Sequence, residues 1–155
     1  MRGRRYRAIQ EQFVLVFWAK DFEEATAATF VAELRGAGLR AKLVGLNAHE
    51  MAGIHGLALV TDCTLEEALP YAQSVSAVVL PCDERGFHHI RNDPRLTLFC
   101  KQVLDNRALF IVGQFDVAAL LHSASEAQAT GQILTYPPSA EIATFARTVT
   151  TRLLE

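Results

Sequence analysis

The stretch Arg107-Ala108-Leu109-Phe110-Ile111-Val112-Gly113-Gln114-Phe115-Asp116-Val117-Ala118-Ala119-Leu120-Leu121 constrains this chain most. It reads as a buried strand, a tight turn and the start of a helix. Ala108 to Val112 is a continuous apolar run of strand length, the pattern of a strand covered on both faces. Gly113 marks the turn, and Val117, Leu120 and Leu121 then recur at helical spacing. In several α/β enzyme families such an elbow holds the nucleophile. Here the turn offers Gln114, whose amide cannot serve as one.

The rest of the chain alternates strand and helix patterns around that elbow. Phe13 to Trp18 is an unbroken apolar run and reads as the first central strand. Asp21 and Glu24 form a capping-box pattern for a helix from about Phe22 to Ala37, with Phe22, Thr26, Phe30, Leu34 and Ala37 on one face. Gly36-Ala37-Gly38 closes it, since glycine tolerates the left-handed conformation of a helix end. Ala41 to Val44 is the second strand. A glycine-punctuated loop then carries His49, Gly53 and His55, and Leu57 to Val60 is a further short strand.

Thr64-Leu65-Glu66-Glu67 is a second capping box, for a short helix stopping near Pro70. Val75 to Leu80 is a buried strand, and Pro81 to His89 reads as a loop. Asp93-Pro94 pairs an N-cap with proline at the first helical position, and Leu96, Phe99, Cys100 and Val103 line one face of the helix that follows. Ser123 to Gly131 shows no strong pattern. Gln132 to Thr135 is a short strand, Pro137-Pro138-Ser139 breaks the chain, and Ile142, Phe145, Val149 and Leu153 keep a helical period. This alternation implies parallel βαβ units, hence a mostly parallel sheet with helices on both faces.

At 155 residues the chain is expected to form one domain over 13–155, preceded by a basic arm at 1–12. A net charge of −2 supplies no global field for nucleic acid, although Arg2, Arg4, Arg5 and Arg7 concentrate positive charge in the arm. That arm reads as a frayed, solvated terminus, with docking on an anionic partner as the functional reading. No apolar run approaches the ~18 residues needed to cross a membrane. Ala8-Ile9-Gln10-Glu11-Gln12 is too polar for a signal-peptide core, so a cytoplasmic location is expected. The cysteines Cys63, Cys82 and Cys100 are odd in number and lack paired ligand spacing, so they read as reduced thiols rather than a disulfide frame or zinc site.

Four stretches resemble the ThiJ/PfpI family, which includes the parkinsonism-associated protein deglycase. They are Val14 to Glu24, Arg35-Gly36-Ala37-Gly38-Leu39 through Val44-Gly45-Leu46, Asp62-Cys63-Thr64-Leu65-Glu66-Glu67-Ala68, and Val78-Val79-Leu80-Pro81. Gly131-Gln132-Ile133-Leu134-Thr135 and the last helix fit the family's closing elements. The resemblance spans nearly the whole chain and implies a flavodoxin-like, doubly wound sheet and a homodimer. It also implies a nucleophilic cysteine at the elbow, where this chain has Gln114, followed by small residues where it has Phe115 and Asp116. The family's acidic residue aligns with Thr26, its histidine segment is shortened to Ser123–Gly131, and its glycine pair is replaced by Cys82-Asp83. The expectation is a non-catalytic domain of binding or regulatory role, with a small-molecule or protein partner.

Cys82 carries the alternative, a thiol-dependent enzyme or redox sensor assisted by His88 or His89. It ends a central strand, on the rim where open α/β sheets place their sites. Glu23, Glu24, Asp83, Gln114, Phe115 and Asp116 are assigned to the same rim. The plainer readings are an inert thiol, solvated histidines, Asp116 as a helix cap, and Glu23 and Glu24 as first-turn acids. No metal is expected, because adjacent histidines do not easily face one ion with His49 or His55. No nucleotide or flavin is expected either: Ala19-Lys20-Asp21-Phe22-Glu23-Glu24 is acidic, lacks glycine and would repel a phosphate.

Overall fold

The computed structural model describes residues 12–121 and 124–155; most of the basic arm, at residues 1–11, therefore lies outside it. The chain begins with β1 (Phe13–Trp18), α1 (Glu24–Gly36) and β2 (Arg40–Gly45). A hairpin, β3 (Glu50–Ala52) and β4 (Ala58–Val60), precedes β5 (Cys63–Thr64), α2 (Leu65–Ala68) and β6 (Val75–Leu80). Then come α3 (Glu84–Ile90), α4 (Pro94–Asp105), β7 (Leu109–Val112), α5 (Ala124–Ala129), β8 (Ile133–Thr135) and α6 (Ile142–Leu154).

Six strands form one sheet in the order β5-β2-β1-β6-β7-β8, and every pairing within it is parallel. Val14 to Trp18, Ala77 to Leu80 and all of β7 are buried, as strands covered on both faces must be. Successive strand residues point to opposite faces. Phe17 meets Phe99 of α4 edge-on at 5.9 Å, whereas Trp18 meets Phe22, just before α1, at 6.2 Å. α1 and α6 pack together, with Phe30 against Phe145 at 6.3 Å. The expected mostly parallel, flavodoxin-like α/β sheet is present.

The outer edge of β2 is closed by side chains. Asp62 accepts the N–H of Leu43 at 2.8 Å and returns its own N–H to the Leu43 carbonyl at 2.9 Å. Arg35 donates to the Ala41 carbonyl at 3.0 Å and to the Asp62 carboxylate at 2.7 Å. β5 pairs only with Val44 and Gly45, so these two side chains satisfy strand groups that β5 does not reach.

Local signals with local partners hold. Thr64 and Glu67 make the reciprocal capping box, Asp93 caps α4 with Pro94 in its first turn, and Gly38 takes φ +87° after α1. The short strand expected at Leu57–Val60 is present as β4, paired antiparallel with β3 across a turn closed by Gly56 at φ +84°. Four expectations are corrected. The Asp21–Glu24 box does not form: α1 starts at Glu24, Glu23 provides no side-chain cap, and Asp21 sits at φ +63° with its carboxylate turned to α3. Pro81–His89 is not all loop. Asp83 caps α3 by accepting the Gly86 N–H at 3.0 Å, and the missing side chain of Gly86 lets α3 lie against Cys82 and the Asp21 carbonyl.

The elbow helix is only a 3₁₀ turn, Val117–Ala119. Val117, Leu120 and Leu121 are buried as their spacing requires, so that spacing reported burial and not helix length. Last, Ser123–Gly131 contains α5, whose end is closed by Gly131 at φ +73°; Ser123 itself lies outside the described residues.

Candidate functional site

β1 continues into β2 and β5 on one side of the sheet, and the chain then crosses to β6 on the other. The carboxyl ends of β1 and β6 therefore splay apart at a topological switch point, where open α/β sheets form a crevice. The Glu23 N–H donates to the Pro81 carbonyl at 2.7 Å and closes the base of that crevice. β7 and β8 deliver Gly113-Gln114 and Tyr136 to the same rim.

Tyr136 organises it. Its single phenolic proton serves the Glu23 carboxylate, through a short hydrogen bond to Oε1, and the Cys82 carbonyl 3.1 Å away. The ring is buried against Phe30, and burial, then the Glu23 carboxylate, push its pKa well above that of an ordinary tyrosine. Gly113 is needed beside it. A Cβ there would strike the Cys82 carbonyl and stand 2.7 Å from Tyr136 Oη. Tyr136 was not among the residues singled out from sequence; its one signal is an amphipathic aromatic directly after a short strand and before Pro137-Pro138.

The turn after β7 carries no backbone strain. Gln114 is exposed and is not among the positive-φ residues, Asp21 and Arg107 being the only non-glycine ones described. Phe115 is half-buried and stacks on Phe87 of α3 at 4.2 Å, with ring planes 16° apart. Asp116 is exposed and accepts the Ala118 N–H at 2.9 Å, so it caps the 3₁₀ turn rather than a long helix.

Cys82 lies at the rim in sequence but beneath it in space. Its side chain is fully buried, and burial first, then the charges of Glu23 and Asp83, raise its thiol pKa well above the ordinary value. His88 and His89 are exposed on α3, and the His89 ring bonds the Asp21 carboxylate at 3.1 Å. Neither ring is hydrogen-bonded to Cys82 among the described interactions. His49 lies 3.8 Å from Glu67 and His55 3.4 Å from Glu24, so these histidines serve separate carboxylates. Among the described residues no three potential ligands gather around one point.

The structure thus joins Glu23, the Cys82 carbonyl, Gly113 and Tyr136 in one contact group, and it takes Glu24 away. Glu24 stands in the first turn of α1, yet its carboxylate is buried and turns toward the hairpin. Thr26 is buried on α1. What this group presents is a carboxylate held by a phenol, above a thiol that is fully buried.

Residues 12–113 match the model of the DJ-1/PfpI family; the match ends one residue before Gln114. No curated protein sequence matches the chain. Among solved structures, Drosophila melanogaster DJ-1beta is similar at 16% identity over 94% of this chain and 91% of its own, with a TM-score of 0.79. Oxidized Toxoplasma gondii DJ-1 gives 16% identity over 92% and 95%, with a TM-score of 0.75. A DJ-1 superfamily protein of Salmonella typhimurium gives 20% identity over 92% and 90%, with a TM-score of 0.73.

Proposed function

The chain belongs to the DJ-1/PfpI family, and from that premise we propose that it is a member without the family's thiol chemistry, a domain of binding or regulatory role. The carrying observation is Gln114. It occupies the position where the family resemblance places a nucleophilic cysteine, on an unstrained turn whose next residue stacks on Phe87. An amide offers one acceptor and two donors and no nucleophile. The Glu23 carboxylate, fixed by Tyr136, supplies an oriented acceptor. Such a rim suits a small molecule or protein segment rich in hydrogen-bond donors.

The test is turnover of dicarbonyl-modified substrates and of simple amides by the wild-type chain and by Cys82→Ser. This reading expects neither protein to turn over. Activity that survives Cys82→Ser sinks it, because some other group must then act. Activity abolished by Cys82→Ser also sinks it, and establishes the thiol reading in which His88 or His89 assists. Homodimer assembly and a cytoplasmic location belong to the same proposal. Among the described residues no helix is long and apolar enough to cross a membrane. Sedimentation of the purified chain decides the assembly, with a monomer at micromolar concentration as the contrary result.

A further inference from the structure

The β3–β4 hairpin pairs with no strand of the main sheet. Outside the hairpin itself, the hydrogen bonds described for residues 50–60 all run to one segment, Trp18–Glu24. The Trp18 indole donates to the Met51 carbonyl at 2.9 Å, the Asp21 N–H to the Ala52 carbonyl at 3.4 Å, and the Ile54 N–H to the Phe22 carbonyl at 2.8 Å. Glu24 makes the remaining two: its Oε2 accepts the N–H groups of His55 at 2.9 Å and Leu57 at 3.1 Å. Gly53 permits this approach, because a Cβ there would collide with the Glu24 carboxyl group.

We propose that the hairpin is a strap, docked on the loop between β1 and α1 by the Glu24 carboxylate and released as a unit when that carboxylate is neutralised or removed. Both acceptor bonds fall on one side chain, so its removal breaks both and its neutralisation strips both of their charge assistance. Charge assistance makes those bonds stronger than neutral ones, and their loss strands two N–H donors beside a buried group. Nothing in the main sheet has to break for the strap to leave. Release uncovers the loop carrying Glu23, together with the half-buried Met51 and Leu59, next to the exposed Leu57 and Val60.

The groups facing Glu24 support a single controlling site. Across from it stands His55, with Nδ1 3.4 Å from Oε1, an oxygen that otherwise has no hydrogen-bond partner. The nearby loop carboxylates are engaged elsewhere, Asp21 with His89 and Arg85 of α3 and Glu23 with Tyr136. Burial works to raise the Glu24 pKa, but the backbone N–H groups of Glu24, Leu57 and His55 outweigh it and hold the value below the ordinary one. A lowered folded-state pKa contributes docking stability above the ordinary glutamate value of about 4.3, lost as pH falls through the lowered value.

Trp18 is the only tryptophan and bonds the strap directly, so its fluorescence reports docking. Emission is followed from pH 7 into acid for the wild type, Glu24→Gln and Glu24→Ala, beside far-UV circular dichroism. The strap predicts a red shift in the acid wild type while the far-UV signal persists. It predicts that both variants are red-shifted already at neutrality, with no further acid step. Hydrogen exchange at the His55 and Leu57 amides should then be at least about ten-fold faster in the variants, with β6 and β7 unchanged. Wild-type emission and exchange in both variants overturn the proposal. So does a wild-type red shift that coincides with loss of the far-UV signal, and that measurement decides even if neither variant folds.

Discussion

Tyr136 and Glu23, 113 residues apart in sequence, share a hydrogen bond that fastens the end of β8 to the start of α1. The hydroxyl also reaches the Cys82 carbonyl just past β6, so it ties the ends of β6 and β8 to the start of α1. Tyr136→Phe keeps the ring against Phe30 and removes that tie. Glu23 is only half-buried and can turn to water, so the expected loss is about 0.5–1.5 kcal/mol, read as a lower urea midpoint with an unchanged slope. An unchanged midpoint would show that the bond contributes nothing to the fold.

The raised Tyr136 pKa has an alkaline consequence. A group whose folded pKa lies above its unfolded value contributes stability that is complete below the unfolded value and is lost as pH rises toward the folded one. The chain has three tyrosines. Absorbance at the phenolate wavelength should therefore show one of them ionising only together with unfolding, above pH about 10. In Tyr136→Phe that late step should vanish. Its persistence would assign the effect to another tyrosine.

The thiols give an independent readout of the rim. Burial raises all three, Cys82 and Cys100 as fully buried groups and Cys63 as a half-buried one with Glu67 and Asp62 adding to the effect. Mass-mapped alkylation of the folded protein should label Cys63 first and slowly, and label Cys82 and Cys100 only after denaturant is added. Fast labelling of Cys82 at neutral pH would contradict its burial and revive the thiol reading of the site.

Much of this architecture was legible because its causes are local. The apolar runs of β1, β6 and β7, the Thr64 capping box and the Asp93-Pro94 start of α4 each act within a few residues. What was not legible depends on partners far away in sequence. Asp21 and Glu24 spell a capping box, yet His89 and the hairpin amides compete for the two carboxylates and win. Gly86 reads as a loop residue because helix propensity disfavours it, while its value lies in letting α3 approach Cys82. At the site, Gln114 was legible as an amide at the position where the family resemblance places a cysteine. The role of Tyr136 needed the sheet order, since nothing near residue 136 points to Glu23.

Asp62 guards an edge. Its carboxylate occupies the Leu43 N–H, and the pair it forms with Arg35 is half-exposed, so the ion pair itself is worth little. Asp62→Ala should cost about 1–2 kcal/mol, mainly through the strand groups it leaves unmet. It also leaves a bare stretch of β2, and open strand edges promote association. Light scattering should therefore rise with concentration for Asp62→Ala and not for Arg35→Lys, which keeps the carboxylate in place. Equal scattering from both variants would show that the edge is guarded by something else.

Gly113→Ala tests whether the rim is as closely built as its geometry states. The residue is not in the left-handed region, so alanine meets no backbone penalty there. The obstacle is space: the new methyl group is directed into the Cys82 carbonyl and toward Tyr136 Oη, 2.7 Å away. A carbonyl at the end of a buried strand cannot swing aside as a flexible side chain would. Either β7 and β6 must separate at their carboxyl ends, or Tyr136 must retreat and release Glu23. Overpacking of this kind costs about 1–3 kcal/mol. If Tyr136 yields, Gly113→Ala and Tyr136→Phe disturb the same contact, and the double variant loses less than the sum of the two single losses. Additive losses would mean that the strands move instead and that the tyrosine keeps its hold on Glu23.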